Sequence, residues 1–169
     1  MATIRDSIES AVRYLSEHPD EALYTDSYAR ATLGEALQVR VDGPDGTTIN
    51  TDMPGGVGGR GKEPSPGWLF RASVASCVAS TIGMEAAREG VVLTSLEVEV
   101  DSESDDRGIL GMDPTVPAGP LSIRIRIRAA AEGVDDDQLR EILDSGARRC
   151  PVCDAAKRAV DVALEVETT

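Results

Sequence analysis

Positive charge is scarce in this chain of 169 residues: 17 Lys and Arg stand against 30 Asp and Glu, for a net charge of −13. Nucleic-acid binding needs clustered cations to displace counterions from phosphates. An anionic membrane surface makes the same demand, so neither partner is expected. Most of the acids serve to keep a solvated surface soluble. Long hydrophobic runs are missing too. The longest charge-free stretch near the middle, residues 72–84, falls short of the roughly 20 apolar residues that span a bilayer. Residues 1–10 lack the apolar segment of a secretory signal, so a cytoplasmic location is the expectation. Histidine occurs once, as His18, too far from the cysteines to complete the four N or S ligands of a tetrahedral zinc site. It is expected to cap or cover the first helix. Cysteine occurs three times, an odd count that suits reactive or buried thiols in a reducing compartment better than a closed disulfide framework. No internal repeat of fixed period is present.

What the chain does contain, 41% apolar and 28% charged residues, is the composition of an ordinary soluble globular protein of one-domain size. Ile4, Ile8, Ala11, Val12 and Leu15 give residues 3–17 a helical period, ended by His18-Pro19. Residues 24–33 and 36–42 read as strands, with Leu37, Val39 and Val41 alternating against Gln38 and Arg40. The turn Gly43-Pro44-Asp45-Gly46 leads into a third short strand over 47–51. Residues 54–66, rich in glycine and proline, form an ordered loop or a mobile lid. Pro66 opens a long helix that Gly90 caps, apolar on nearly every side and therefore expected to be buried all round. Strands at 96–100 and 121–128 follow, separated by a long exposed connection. A helix spans 135–149, a helical turn 150–158, and a last strand 160–166. Outward Arg124, Arg126 and Arg128 are complementary to Glu97, Glu99, Glu165 and Glu167, a pattern that pins strand register. The order β-β-β-α-β-β-α-β is that of an α+β protein with antiparallel sheet around or against a buried central helix.

The chemistry concentrates at two cysteine sites. Cys77 lies within the run Ala72-Ser73-Val74-Ala75-Ser76-Cys77-Val78-Ala79-Ser80, deep in the long helix and out of reach of its N-terminal dipole. Burial there raises a thiol's pKa, so a reactive Cys77 needs a cation from elsewhere in the fold; without one it is a small core residue. Cys150 follows Arg148-Arg149 and precedes Pro151, placing it at the cap of a short helix, where both features favour a thiolate. Cys150-Pro151-Val152-Cys153 also has the spacing of a thioredoxin motif, although it follows a helix rather than a strand. A separated pair of this kind suggests one thiol that attacks and one that resolves, which is redox chemistry without a cofactor.

Pro64-Ser65-Pro66-Gly67-Trp68-Leu69-Phe70-Arg71-Ala72-Ser73-Val74-Ala75-Ser76-Cys77 and the continuation from Ser80 to Gly90 resemble the central helix of the OsmC/Ohr family, the osmotically inducible and organic hydroperoxide resistance proteins. Gly146-Ala147-Arg148-Arg149-Cys150-Pro151-Val152 resembles that family's second cysteine motif. The resemblance implies an N-terminal helical extension over 1–23 and a single OsmC-like domain over 24–169, assembled as an intertwined homodimer. It implies a thiol-dependent peroxidase for organic hydroperoxides that needs no cofactor. Cys77 would attack the peroxide, Cys150 would close a disulfide with it, and an external dithiol, a lipoyl group being one candidate, would reduce that bond. The alternative is a catalytically degenerate dimer that binds a small apolar ligand. The family's activating arginine comes from the N-terminal strands, where this chain offers Arg30 and Arg40, with Arg30 the choice from strand order. Gly67 stands where the hydroperoxide-resistance branch has a glutamate, and the nearest acid is Glu63. Cys153 is an extra thiol, either a second exchange partner or core.

Overall fold

The computed structural model describes residues 2–168 and divides into two compact units, with the boundary between Ser73 and Val74 inside one long helix. In the first unit, α1 (Ile4–Glu17) starts at a capping box: the Thr3 hydroxyl accepts the Asp6 N–H, and the Asp6 carboxylate accepts the Thr3 N–H. His18 closes this helix as expected. Its backbone N–H donates to the Tyr14 carbonyl, and its ring stacks on Tyr14 with centroids 4.4 Å apart.

A three-stranded antiparallel sheet follows in the order β1 (Arg30–Leu33), β2 (Val39–Asp42), β3 (Thr48–Thr51). The strand expected over 24–33 is thus confined to its last four residues. Register explains the correction. Arg30 lies opposite Asp42, and Asp42 lies opposite Thr48, so the residues just before Arg30 project past the turn at Gly43, and among the described residues no strand pairs with them. The early start expected for the second strand fails for a local reason. Ala36 sits in the left-handed region (φ 55°) within a turn closed by the Gly34 N–H on the Gln38 carbonyl, 2.8 Å.

The glycine-rich loop is anchored by a single carboxylate. Asp52 is buried and accepts backbone N–H groups from Met53 (2.8 Å), Arg60 (3.1 and 3.2 Å) and Lys62 (3.2 Å). Glycine is required at Gly59, where a Cβ would fall 1.8 Å from the Met53 carbonyl oxygen. Burial pushes the Asp52 carboxyl up, but the N–H donors of Lys62, Arg60 and Met53 outweigh it and hold the group below the ordinary carboxylate range. A depressed carboxyl stabilises the fold fully above its unfolded pKa, about 3.9, and loses that contribution as pH falls through the lower folded value. Protection of the Arg60 and Lys62 amides from exchange should therefore persist to about pH 4 and fail only below it. Asp52→Asn, which loses the charge, should speed tryptic cleavage after Arg60 and Lys62 roughly tenfold at neutral pH by raising local opening. Equal cleavage rates would remove Asp52 as the anchor.

Ser65 caps α2 (Pro66–Glu89), its hydroxyl accepting the Trp68 N–H at 3.2 Å. Gly90 (φ 72°) ends the helix in a Schellman arrangement, with Val91 N–H on the Ala86 carbonyl and Gly90 N–H on that of Ala87. Both ends are where proline and glycine placed them. The burial is not as expected. Val74, Val78, Ile82, Glu85 and Ala86 are buried, which is one helical stripe, whereas Trp68 and Met84 are exposed. Among the described residues α2 thus buries one face.

In the second unit, β4 (Leu93–Glu103) and β5 (Ser122–Ala131) form an antiparallel ribbon. Its register sets Glu97 opposite Arg128, Glu99 opposite Arg126 and Asp101 opposite Arg124. The arginines bridge along the strand as well, Arg126 reaching both Glu99 (2.7 Å) and Asp101 (2.9 Å). Water screens these exposed pairs, so they select register more than they add stability. Glu165 and Glu167 take no part in the ladder, because residues 159–168 form no strand; Val162 and Leu164 are nearly fully exposed. A strand needs a neighbour for its N–H and C=O groups, and among the described residues none pairs with this segment. The connection between β4 and β5 carries α3 (Asp106–Ile109), capped by Asp105. Two helices complete the unit: α4 (Asp136–Arg148), whose N-cap Asp135 accepts the Gln138 N–H, and α5 (Pro151–Lys157), capped by Cys150. Among the described residues no helix is long and apolar enough to cross a membrane.

Candidate active site

α4 lies against α2 at Gly146, where a Cβ would fall 2.6 Å from the Ile82 Cα and 2.9 Å from its N. Only a glycine permits this approach. It places the end of α4, and the cysteine motif that follows, against the face of α2 that carries Val78 and Ile82. Glu85 reinforces the contact. Its buried carboxylate accepts the Ser145 hydroxyl at 2.7 Å and the Arg149 guanidinium, with Arg88 3.9 Å away. A carboxylate taken out of water requires such partners.

This anchor was missed in the sequence, where Glu85 reads as the end of the apolar stretch. Its helical phase was the available signal, since it falls one turn beyond Ile82 on the stripe that becomes buried. It also corrects the role expected of the two arginines. Arg149 is engaged by Glu85, and Arg148 extends into solvent with Asp144 at 3.9 Å. Neither guanidinium has the Cys150 sulfur among its bonding partners. The buried acid captures the cation that the adjacent cysteine was expected to use.

The two cysteine motifs do come together. Cys77 is half-buried on α2, and Cys150 is completely buried at the cap of α5; both are free thiols. They lie close enough for each to bear on the other's ionisation. The first turn of α5 supplies each sulfur with a backbone donor: Val152 N–H to Cys77, and Cys153 N–H to Cys150 at 3.3 Å. Pro151 stands at the first helical position, where a missing N–H costs nothing. Desolvation pushes the Cys77 thiol above its usual value, the Val152 N–H pulls it back, and the neighbouring Cys150 pushes it up again; the net direction is up. Two thiols in contact can exchange a covalent bond without large rearrangement.

The remaining candidates lie in the N-terminal unit. Arg40 is bound to Asp42 on its own strand, 2.8 Å from the carboxylate. Arg30 lies over the Tyr28 ring, 5.0 Å from its centroid. Gly67 and Glu63 are both exposed. In the second unit, Cys153 is buried and lines a cleft of about 310 Å³ with Val74, Leu121, Ile123, Ile125 and Ala156.

The family described as OsmC-like protein matches residues 59–165, which contain both cysteine motifs. An organic hydroperoxide resistance protein of Xanthomonas axonopodis pv. citri is 31% identical over 148 residues, covering 86% of this chain and 96% of that protein. Among solved structures, an OsmC-like protein from Mycoplasma pneumoniae superposes with a TM-score of 0.67 at 17% identity, covering 80% of this chain and 89% of that one. An organic hydroperoxide resistance protein from Legionella pneumophila does so with a TM-score of 0.58 at 22% identity over 80% and 90%. These superpositions agree with the α+β architecture of antiparallel sheets. With well over half its length matched and a relative aligned nearly end to end, the chain belongs to the OsmC-like family.

Proposed function

We propose that this protein is a thiol-dependent peroxidase that reduces organic hydroperoxides, in keeping with the name of its Xanthomonas relative. The reading is supported by the closeness of the Cys77 and Cys150 thiols beside the start of α5, where the Cys153 N–H donates to the Cys150 sulfur. The Cys77 thiolate attacks the distal oxygen of ROOH; the O–O bond breaks, and the alkoxide leaves as ROH after taking a proton. Cys77 is now a sulfenic acid. The Cys150 sulfur attacks it, hydroxide leaves as water, and a Cys77–Cys150 disulfide remains for an external dithiol to reduce. The backbone donors of α5 stabilise negative charge on sulfur at both steps.

For the cation that Cys77 requires we propose Arg30, the choice from strand order; that Arg40 is engaged by Asp42 on its own strand supports it. The working unit is a homodimer. Its support is the uncovered side of α2 and the exposed apolar residues of 159–168, which leave surface for a second copy to cover. Cumene hydroperoxide should drive consumption of dihydrolipoamide by the wild type. Arg30→Ala should lower the rate far more near neutral pH than in mild base, because without the guanidinium the raised thiol ionises only in base. A wild type that consumes no dithiol under either condition would overturn the proposal.

Two features favour a second reading, a degenerate dimer that binds a small apolar ligand. The Cys77 thiol is pushed up rather than down, and Gly67 replaces the glutamate of the hydroperoxide-resistance branch. Slow alkylation of Cys77 at neutral pH in the native protein would select that reading, and rapid alkylation would select the peroxidase.

A further inference from the structure

We propose that Cys153 is a third redox thiol and the point at which electrons enter, so that the oxidising equivalent passes from Cys77 through Cys150 to Cys153. This rests on the peroxidase reading for its source of oxidising equivalents. Three features support it. Cys150 is wholly buried, whereas Cys153, although buried, opens onto a cleft through which a dithiol can reach its sulfur. Cys153 lies one helical turn along α5 with its N–H on that same sulfur, and residues so spaced have Cβ atoms about 5–6 Å apart, within a small adjustment of disulfide geometry. Finally, Cys153 is part of the wall of a cleft of about 310 Å³ that is aliphatic except for Ser122 and Lys157, a cavity that the chemistry at Cys77 does not use.

The exchange balances without any further oxidant. The Cys153 thiolate attacks the Cys150 sulfur of the Cys77–Cys150 disulfide; the bond between Cys77 and Cys150 breaks, and Cys77 leaves as a thiolate ready for the next peroxide. The external dithiol then attacks the Cys153 sulfur and expels Cys150 as a thiolate. Its second thiol attacks the resulting mixed disulfide, releases Cys153 and leaves the reductant as a disulfide. The aliphatic walls formed by Val74, Leu121, Ile123, Ile125 and Ala156 suit a dithiol on a hydrocarbon arm, the lipoyl type, over a small polar one. Peroxide and reductant are thereby received by different sulfurs.

Two arms test this. In the first, the reduced protein is equilibrated in a dithiothreitol redox buffer without peroxide, alkylated, and mapped by mass spectrometry. A Cys150–Cys153 linkage with Cys77 alkylated is expected; full oxidation as Cys77–Cys150 with Cys153 free overturns the relay, whether or not the protein consumes peroxide. In the second, wild type, Cys153→Ser and Ala156→Phe are compared with cumene hydroperoxide. First-turnover peroxide loss should be equal in all three. Steady-state turnover with dihydrolipoamide should fall at least about tenfold in both variants, because the attacked sulfur or the path to it is gone. Unchanged turnover overturns the relay and leaves the peroxidase standing. Absence of peroxide loss in all three overturns the peroxidase, and the buffer arm alone then decides the relay. Ala156 is exposed, so its replacement keeps the test valid should Cys153→Ser fold poorly.

Discussion

Cys77→Ser should abolish peroxide-driven dithiol consumption, by about a thousandfold or more, because a serine hydroxyl at the same place is not ionised and is a far weaker nucleophile toward peroxide oxygen. Cys150→Ser should behave differently. It should consume one equivalent of peroxide per chain at close to the wild-type rate, a second more slowly, and then stop. With no resolving sulfur, the Cys77 sulfenic acid climbs the oxidation ladder to the sulfinic acid, an added mass that intact-protein spectrometry reads directly. Neither exchange should unfold the protein. Cys77 is only half-buried, and serine is a strongly preferred N-cap residue, able to accept the Cys153 N–H that Cys150 now accepts. A Cys150→Ser protein that turns over many times without sulfinic acid would mean that another group resolves the intermediate, and would dismantle the two-thiol mechanism.

The second large effect concerns packing. Replacing glycine by alanine inside a helix ordinarily stabilises by about 1 kcal/mol. At Gly146 the sign should reverse. The new methyl would meet the α2 backbone at Ile82, 2.6 Å from its Cα, and backbone cannot rotate aside as a side chain can. α4 must therefore move away, and Gly146→Ala should cost on the order of 2–3 kcal/mol, as overpacking does. For a chain of this length that lowers Tm by on the order of 5–10 °C. Gly83→Ala supplies the control. It is also helical, a Cβ there meets nothing within 4 Å, and it should gain about 0.5–1 kcal/mol. Because Cys150 follows α4 directly, displacement of α4 should also slow closure of the Cys77–Cys150 disulfide, measured as loss of free thiol after one equivalent of peroxide. A Gly146→Ala variant as stable as the wild type would show that the helices do not approach so closely in solution.

Which features were legible from sequence depended on how local their causes are. Pro66 and Gly90 bound α2 because a missing N–H and a left-handed φ act on their own residues. The alternation of arginines on β5 against acids on β4 foretold the ladder, since register follows from charges on the two strands alone. The two cysteine motifs were legible as short local patterns, and the fold sets Cys150 at the cap of α5 with the Cys153 N–H on its sulfur. The strands expected over 24–29 and 160–166 failed for the opposite reason. Their alternation describes a willingness to pair, but a strand exists only where another backbone lies alongside.

The chemistry of Cys77 divides along the same line. Residue order alone determined that the thiol sits deep in a small-residue helix, away from its dipole, and so depends on its surroundings for reactivity. Tertiary structure decided what those surroundings are: the α5 N–H of Val152, the Cys150 thiol, and an Arg149 diverted to buried Glu85 rather than left for sulfur. A guanidinium goes to whichever anion has lost the most water, and how much water each anion loses is a property of the assembled fold.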